Sequence, residues 1–284
     1  MKKIIYLGLA ATFASSAMAT TYQVELTDYP IKDGILNNNK HSARAGFVDR
    51  FFSSYNNKTE QLKVSLTLLN ELPSKITGTT HTGYEPTGRL ADGFWIVLTE
   101  GPGPQTTAAS NKYSILLGDV RSKKVTSYVY RPTEDKRPST EINLLDQQQE
   151  SFIKSYDNAF QAETSASGAV TYSFDIDVTD VNAYSGDFAG SEWKGAQYGE
   201  TIGIWAHPFF LADGSDSITF NADGSYSNLD IISGGYFDTP LNPTTSDPLV
   251  GTVVVTPDPV PVPAAVWFFA TGLLGFAGLR KRNS

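Results

Sequence analysis

Val170-Thr171-Tyr172-Ser173-Phe174-Asp175-Ile176-Asp177-Val178-Thr179 decides the fold class. Val170, Tyr172, Phe174, Ile176 and Val178 alternate without interruption with Thr171, Ser173, Asp175, Asp177 and Thr179. That period of two puts one set of side chains against a core and the other in water. The same alternation recurs upstream, where Leu62, Val64, Leu66 and Leu68 are separated by Lys63, Ser65 and Thr67. Phe94 to Leu98 is a continuous apolar run, which suits a central strand covered on both faces. Tyr113 to Leu117, Val125 to Tyr130, Ile202 to Trp205 and Leu229 to Ile232 complete the evident strands.

Turn residues divide these runs: Thr87-Gly88, Asp92-Gly93, Gly101-Pro102-Gly103-Pro104, Asp213-Gly214, Asp223-Gly224 and Gly234-Gly235. Many short strands punctuated in this way predict an all-β chain, an antiparallel sandwich or barrel, and a sandwich is the expectation adopted. Residues 143–163 fit the pattern least. Phe152, Tyr156 and Phe160 stand at spacing four, compatible with a helix, but a loop followed by a strand is the expectation.

The two ends differ from this body. Lys2 and Lys3, an apolar stretch from Ile4 to Phe13, and Ala17-Met18-Ala19 have the charge, hydrophobicity and small-x-small pattern of a secretory signal peptide, with cleavage expected after Ala19. Such a segment implies the Sec export machinery as a partner. Seven of the fifteen prolines fall between Pro240 and Pro263, a density that favours an extended spacer. The expected organisation is a signal peptide over 1–19, a sandwich domain over 20–239, a proline-rich linker over 240–259 and a C-terminal signal over 260–284. Within the last, Ala264 to Leu279 carries no charge and precedes Arg280-Lys281-Arg282. Sixteen helical residues reach roughly 24 Å, a little short of the ~30 Å hydrocarbon core. The segment is therefore a marginal single span, a helix over 264–279, with its basic end in the cytoplasm and the body outside.

The tail resembles the PEP-CTERM sorting signal, in the variant whose motif reads Val-Pro-Leu-Pro-Ala. Val260, Pro261, Val262, Pro263 and Ala264 match it with valine in place of leucine, and Trp267, the Gly272 to Gly278 run and the Arg280-Lys281-Arg282 stop match the remainder. The resemblance implies recognition by an exosortase, a membrane-embedded transpeptidase that cuts near the motif. It also implies a transient inner-membrane anchor and delivery to the outer surface or extracellular polysaccharide of a Gram-negative bacterium. A plain membrane anchor is the alternative. From about Phe47 to Phe237 the body is similar to that of other PEP-CTERM proteins of unassigned activity.

Composition narrows the partners. The five bases of the two ends removed, 17 bases face 30 acids in the body, a net of −13, which argues against nucleic acid or an anionic membrane surface as partner. The chain has no cysteine, so thiol chemistry and thiolate metal sites are excluded. His41, His81 and His207 are too far apart in sequence to suggest a metal pair.

Ala91-Asp92-Gly93-Phe94-Trp95 resembles the stretch that opens a core strand in L-type lectins, which implies a concanavalin-like jelly roll with Asp92 as a sugar contact; otherwise Asp92-Gly93 is a turn into a buried strand. Asp175 and Asp177, with Asn182 and Asp187 downstream, resemble the calcium site of the same lectins, against the alternative of a solvated strand face. Asp175-Ile176-Asp177-Val178-Thr179-Asp180 resembles, less closely, the Glu-x-Asp-x-x-Glu motif of laminarinase-like glycoside hydrolases, with aspartate at both glutamate positions. Trp193, flanked by Glu192 and Lys194, is a candidate for stacking on sugar rings, while Trp205 is expected in the core. The expectation overall is an exported, non-catalytic surface protein that contacts glycan, with a carbohydrate-active enzyme on the same fold as the alternative.

Overall fold

The structure, a computed structural model, describes residues 20–30, 47–69, 91–100, 113–130, 150–186, 195–198, 202–212, 214–233, 237–239 and 253–257. In chain order these form β1 (Thr20–Pro30), β2 (Phe47–Asn56), β3 (Gln61–Leu69), β4 (Gly93–Glu100), β5 (Tyr113–Asp119), β6 (Val125–Tyr130), β7 (Glu150–Tyr156), β8 (Phe160–Thr164) and β9 (Val170–Asp177). A single turn of helix, α1 (Thr179–Asn182), follows, then β10 (Ile202–Leu211), β11 (Ile218–Phe220), β12 (Tyr226–Leu229), β13 (Ile231–Ser233), β14 (Phe237–Thr239) and β15 (Val253–Pro257).

Two antiparallel sheets pack face to face. The first runs β15-β1-β2-β3-β9-β8; the second runs β13-β10-β4-β5-β6-β7, with β14 also paired to β10. Each sheet contains one three- or four-stranded meander, β1-β2-β3 in the first and β4-β5-β6-β7 in the second. Long-range pairs extend each meander, β3 with β9 and β1 with β15 in the first sheet and β4 with β10 in the second. Pro208, which has no N–H to give, falls in β10 between the residues paired to β14 and those paired to β13, where only β4 is its partner.

The alternation read in β3 and β9 sets the core. Leu62, Val64, Leu66 and Leu68 are buried and lie opposite Ile176, Phe174, Tyr172 and Val170, all buried, on one face of the first sheet. Across the sandwich Phe94 meets them, its ring 5.5 Å from Phe160, 5.8 Å from Phe174 and 6.5 Å from Tyr172. The Tyr172 hydroxyl donates to the Ala91 carbonyl at 2.8 Å, which ties the two layers together in the core.

The unbroken apolar run in β4 has the cause expected of it. Phe94, Ile96 and Leu98 face the sandwich core, while Trp95 and Val97 join a second cluster on the outer side with Ile115, Leu117, Phe209 and Leu211. The β11-β12 ribbon covers that side with Phe220 and Tyr226. Gly93 opens the strand because a side chain there has no room. An added Cβ would lie 2.2 Å from the Gly118 carbonyl oxygen and 2.7 Å from the Phe209 ring.

Two expectations are revised. Residues 150–164 form not one strand but two, β7 in the second sheet and β8 in the first, joined through Asp157, Asn158 and Ala159, with Asn158 at φ 55°. The spacing of Phe152, Tyr156 and Phe160 thus reflects a chain crossing from one layer to the other. The linker expected over 240–259 contains β15, which pairs with β1 from Thr20↔Pro257 to Val24↔Val253. Val253-Val254-Val255 is a β-branched run that favours a strand despite the surrounding prolines. No helix among the described residues is long and apolar enough to cross a membrane. The signal peptide and the span expected over 264–279 lie outside the described residues.

Candidate functional site

Asp92 stands at the corner where β4 begins and β10 ends. Its Oδ2 accepts the Leu211 N–H at 2.8 Å and its Oδ1 lies 3.9 Å from Arg121 Nη2. Its backbone is also used: the N–H donates to the Phe209 carbonyl, and its carbonyl accepts from Val120 N–H, both at 2.8 Å. Arg121 in turn donates to Ser217 Oγ at 2.7 Å and to the Gly214 carbonyl at 3.1 Å. Asp92 therefore joins β4, β10 and the β5-β6 turn. Asp92→Ala should leave the Leu211 N–H without this acceptor and lower unfolding free energy by about 1–3 kcal/mol, which equilibrium urea unfolding measures.

The next turn holds a second carboxylate. Asp119 is fully buried, and its carboxylate accepts from Ser122 N–H at 2.7 Å and from the Ser122 hydroxyl. Burial pushes its pKa up, against the pull of those hydrogen bonds and of Arg121.

Among the described residues the acidic strand does not gather the expected cation ligands. Asp175 is exposed on the outer side of the first sheet and pairs with Lys63 at 2.9 Å. Asp177 accepts from the Thr179 hydroxyl at 2.6 Å and the Thr179 N–H at 2.9 Å, and these bonds hold its pKa below the usual carboxylate range. Asn182, at the end of α1, is committed elsewhere: its Oδ1 accepts Ala196 N–H at 2.8 Å, and its Nδ2 donates to Glu60 Oε1 at 3.1 Å and Tyr55 Oη at 3.3 Å. Among the described residues no three histidine, aspartate or glutamate side chains gather as a metal site. Asp187 lies outside those residues. The described ligand candidates do not fit calcium, because Asp175 faces a lysine and Asn182 binds backbone and side chains of its own fold.

Asp180, the other half of the hydrolase-like pair, is bound to Lys154 of β7. Each of the two aspartates is thus neutralised by its own lysine, on strands of different sheets.

Asn182 organises one end of the sandwich. The segment 195–198 closes this end, with Ala196 and Tyr198 buried. The Ser114 hydroxyl donates to the Gly195 carbonyl, and the Ser53 and Tyr198 hydroxyls bond to each other. One tie therefore goes to each sheet. Gly195 has φ 64°, and a Cβ there would come 2.5 Å from Asn182, so glycine is required on both counts. Asn182→Ala should release this closure and cost about 1–3 kcal/mol, without altering calcium response in isothermal titration. Trp193, the other sugar-contact candidate, lies outside the described residues, as do Ala17, Ala19, Val260 to Ala264 and Arg280 to Arg282.

One surface feature was not singled out from sequence. A cleft of about 350 Å³ opens on the outer side of the first sheet, lined by Phe52, Lys63, Ser65, Gln161, Ser173 and Asp175 among others. Its sequence signal was the polar half of the alternation in β3 and β9. Asp175 is the one expected site residue that it contains.

Compared with protein-family models, curated proteins and solved structures, the chain matches none of them.

Proposed function

We infer that this is an exported protein, processed by an exosortase and delivered to the outer surface or the extracellular polysaccharide of a Gram-negative bacterium, where it acts without catalysis and contacts glycan. The observation that carries the reading is the β1-β15 ladder. β1 begins at Thr20, the residue after Ala17-Met18-Ala19, and β15 ends at Pro257, three residues before Val260. Thr20 and Pro257 face each other in the ladder. Both expected cuts therefore fall beside the same ladder end, and neither removes a residue from it.

The new amino terminus also has a partner ready. Thr20 N–H donates to Asn57 Oδ1 at 2.8 Å, and the Thr20 carbonyl accepts from Asn57 N–H at 3.1 Å. After cleavage at Ala19 the same nitrogen would be an ammonium, for which a charge-assisted bond is stronger. Two antiparallel sheets packed face to face are the layout that a lectin-like sandwich requires, and the concanavalin-like winding stays part of this reading; no cluster of three ligand side chains for calcium gathers among the described residues.

Cell fractionation tests the reading. In wild-type cells the protein should be found outside the cell; in cells lacking the exosortase it should be held in the inner membrane by residues 264–279. The same location in both strains would leave an ordinary anchor or plain secretion. The second reading, a glycoside hydrolase, is favoured only by the spacing of Asp175 and Asp180. Release of reducing sugar from a β-glucan, abolished by Asp175→Ala, would establish it in place of the non-catalytic one.

A further inference from the structure

The geometry points to the outer side of the first sheet as the binding surface for an extended, uncharged polysaccharide, an inference that rests on the surface-protein reading above and gives it a site. One straight row of side-chain positions crosses the sheet: Glu25, Phe52, Ser65, Ser173 and Gln161, each paired with the next in register across β1, β2, β3, β9 and β8. Neighbouring strands lie about 4.8 Å apart, close to the advance of one pyranose unit along an extended β-linked chain. A glycan laid across the strands would therefore meet an equivalent position at each sugar.

The groups in the row suit such a ligand. A pyranose presents an apolar C–H face and a rim of hydroxyls that both donate and accept. Phe52 supplies an aromatic surface for the first, and Ser65, Ser173 and Gln161 supply donors and acceptors for the second. The Arg50 guanidinium lies over the Phe52 ring, 5.5 Å from its centroid, and pairs with Glu25 at 2.7 Å, so the sugar would use the face that Arg50 does not cover. The row is bordered on one side by the Thr67-Thr171 hydroxyl pair at 2.9 Å and on the other by the Lys63-Asp175 pair at 2.9 Å. The cleft of about 350 Å³ lies in the middle of this arrangement, at the lower end of the ~300–1,000 Å³ that small-molecule sites occupy.

Charge selects among polymers. Among the described residues the cations beside the row, Arg50 and Lys63, are paired with acids, and the body carries a net charge of −13. An anionic polysaccharide would meet repulsion and no unpaired cation among these contacts, whereas a neutral one avoids both penalties. Asp175 then serves as a hydrogen-bond acceptor at the border of the trough, in place of the metal-ligand role read from its spacing.

The test uses the full chain, processed and recovered from its own cells, in affinity gels containing mixed-linkage β-glucan or xylan as neutral probes and alginate as the anionic one. Retardation by a neutral probe, weakened at least tenfold in Phe52→Ala and in Gln161→Ala and unchanged in Val120→Ala on the β5-β6 turn, is the expected result. Gln161 is exposed on an edge strand, so its variant keeps the test valid should Phe52→Ala unfold. Retardation by alginate alone, by no probe, or equally in wild type and the two trough variants would overturn the inference. Export without glycan binding sinks this site and leaves the sorting reading standing; glycan binding by a protein retained in the inner membrane of both strains does the reverse.

Discussion

Phe94→Ala is expected to lower the unfolding free energy by about 3–5 kcal/mol, the usual loss for a large aromatic removed from a close-packed core. Phe94 is fully buried in β4 and touches three rings of the opposite sheet, Phe160, Tyr172 and Phe174. Its removal leaves a cavity between the sheets beside Phe160, which packs on Gly118 with no room for even a methyl group between them. Urea unfolding should show a lower midpoint with an unchanged slope, since the surface exposed on unfolding stays the same. A loss under about 1 kcal/mol, the scale of an ordinary surface change, would mean that the two sheets do not share this core.

Acid should weaken the fold through His207. Its ring is buried on the outer side of β10, stacked on Trp95 with centroids 5.0 Å apart and planes 10° from parallel. Burial pulls its pKa down from 6.5 to about 3. The unfolded chain therefore binds a proton near pH 6.5 that the folded one refuses until about pH 3, and the sign follows: stability is complete above pH 6.5 and falls as the pH drops. The slope is about 1.4 kcal/mol per pH unit across that window. Asp177 adds to the loss at lower pH, because its depressed pKa stabilises the fold only while it is ionised. Asp119 acts in the opposite sense, because burial raises its pKa. His207→Phe, which keeps a planar ring against Trp95, should flatten the fall between pH 6.5 and 4 in chemical-denaturation curves. An unchanged slope in that variant would assign the acid sensitivity to the carboxylates instead.

The strands with strict alternation were legible because their two faces meet different surroundings. In β3 and β9 one face is core and the other is water, and in β4 both faces are core; each produced the pattern that its burial requires. β2 escaped the same reading because Ser53 occupies a buried inward position between Phe51 and Tyr55, stabilised by the Tyr198 hydroxyl. Such a serine looks like an exposed residue until its partner, 145 positions away, is known. β15 was obscured by composition, its valines lying among prolines that signal a spacer. The site residues fared differently for a related reason. Asp92 and Asn182 have the side chains that a sugar or a cation needs, but a carboxylate or amide serves the protein's own N–H groups equally well, and sequence spacing does not distinguish the two uses. The trough on the first sheet was only partly legible: the alternation in β3 and β9 marks its polar positions, but its residues come from five strands and meet only through register.

The central claim is that the folded body is what remains between two cuts, and the most direct test is the intact mass of the protein recovered outside its own cells. The account predicts a single chain that begins at Thr20 and ends beyond Pro257, close to the Val260 to Ala264 motif, so that the β1-β15 ladder is complete and Arg280-Lys281-Arg282 is gone. A secreted species that still carries Met1 to Ala19 or Arg280 to Ser284, or one that has lost Val253 to Pro257, would contradict it.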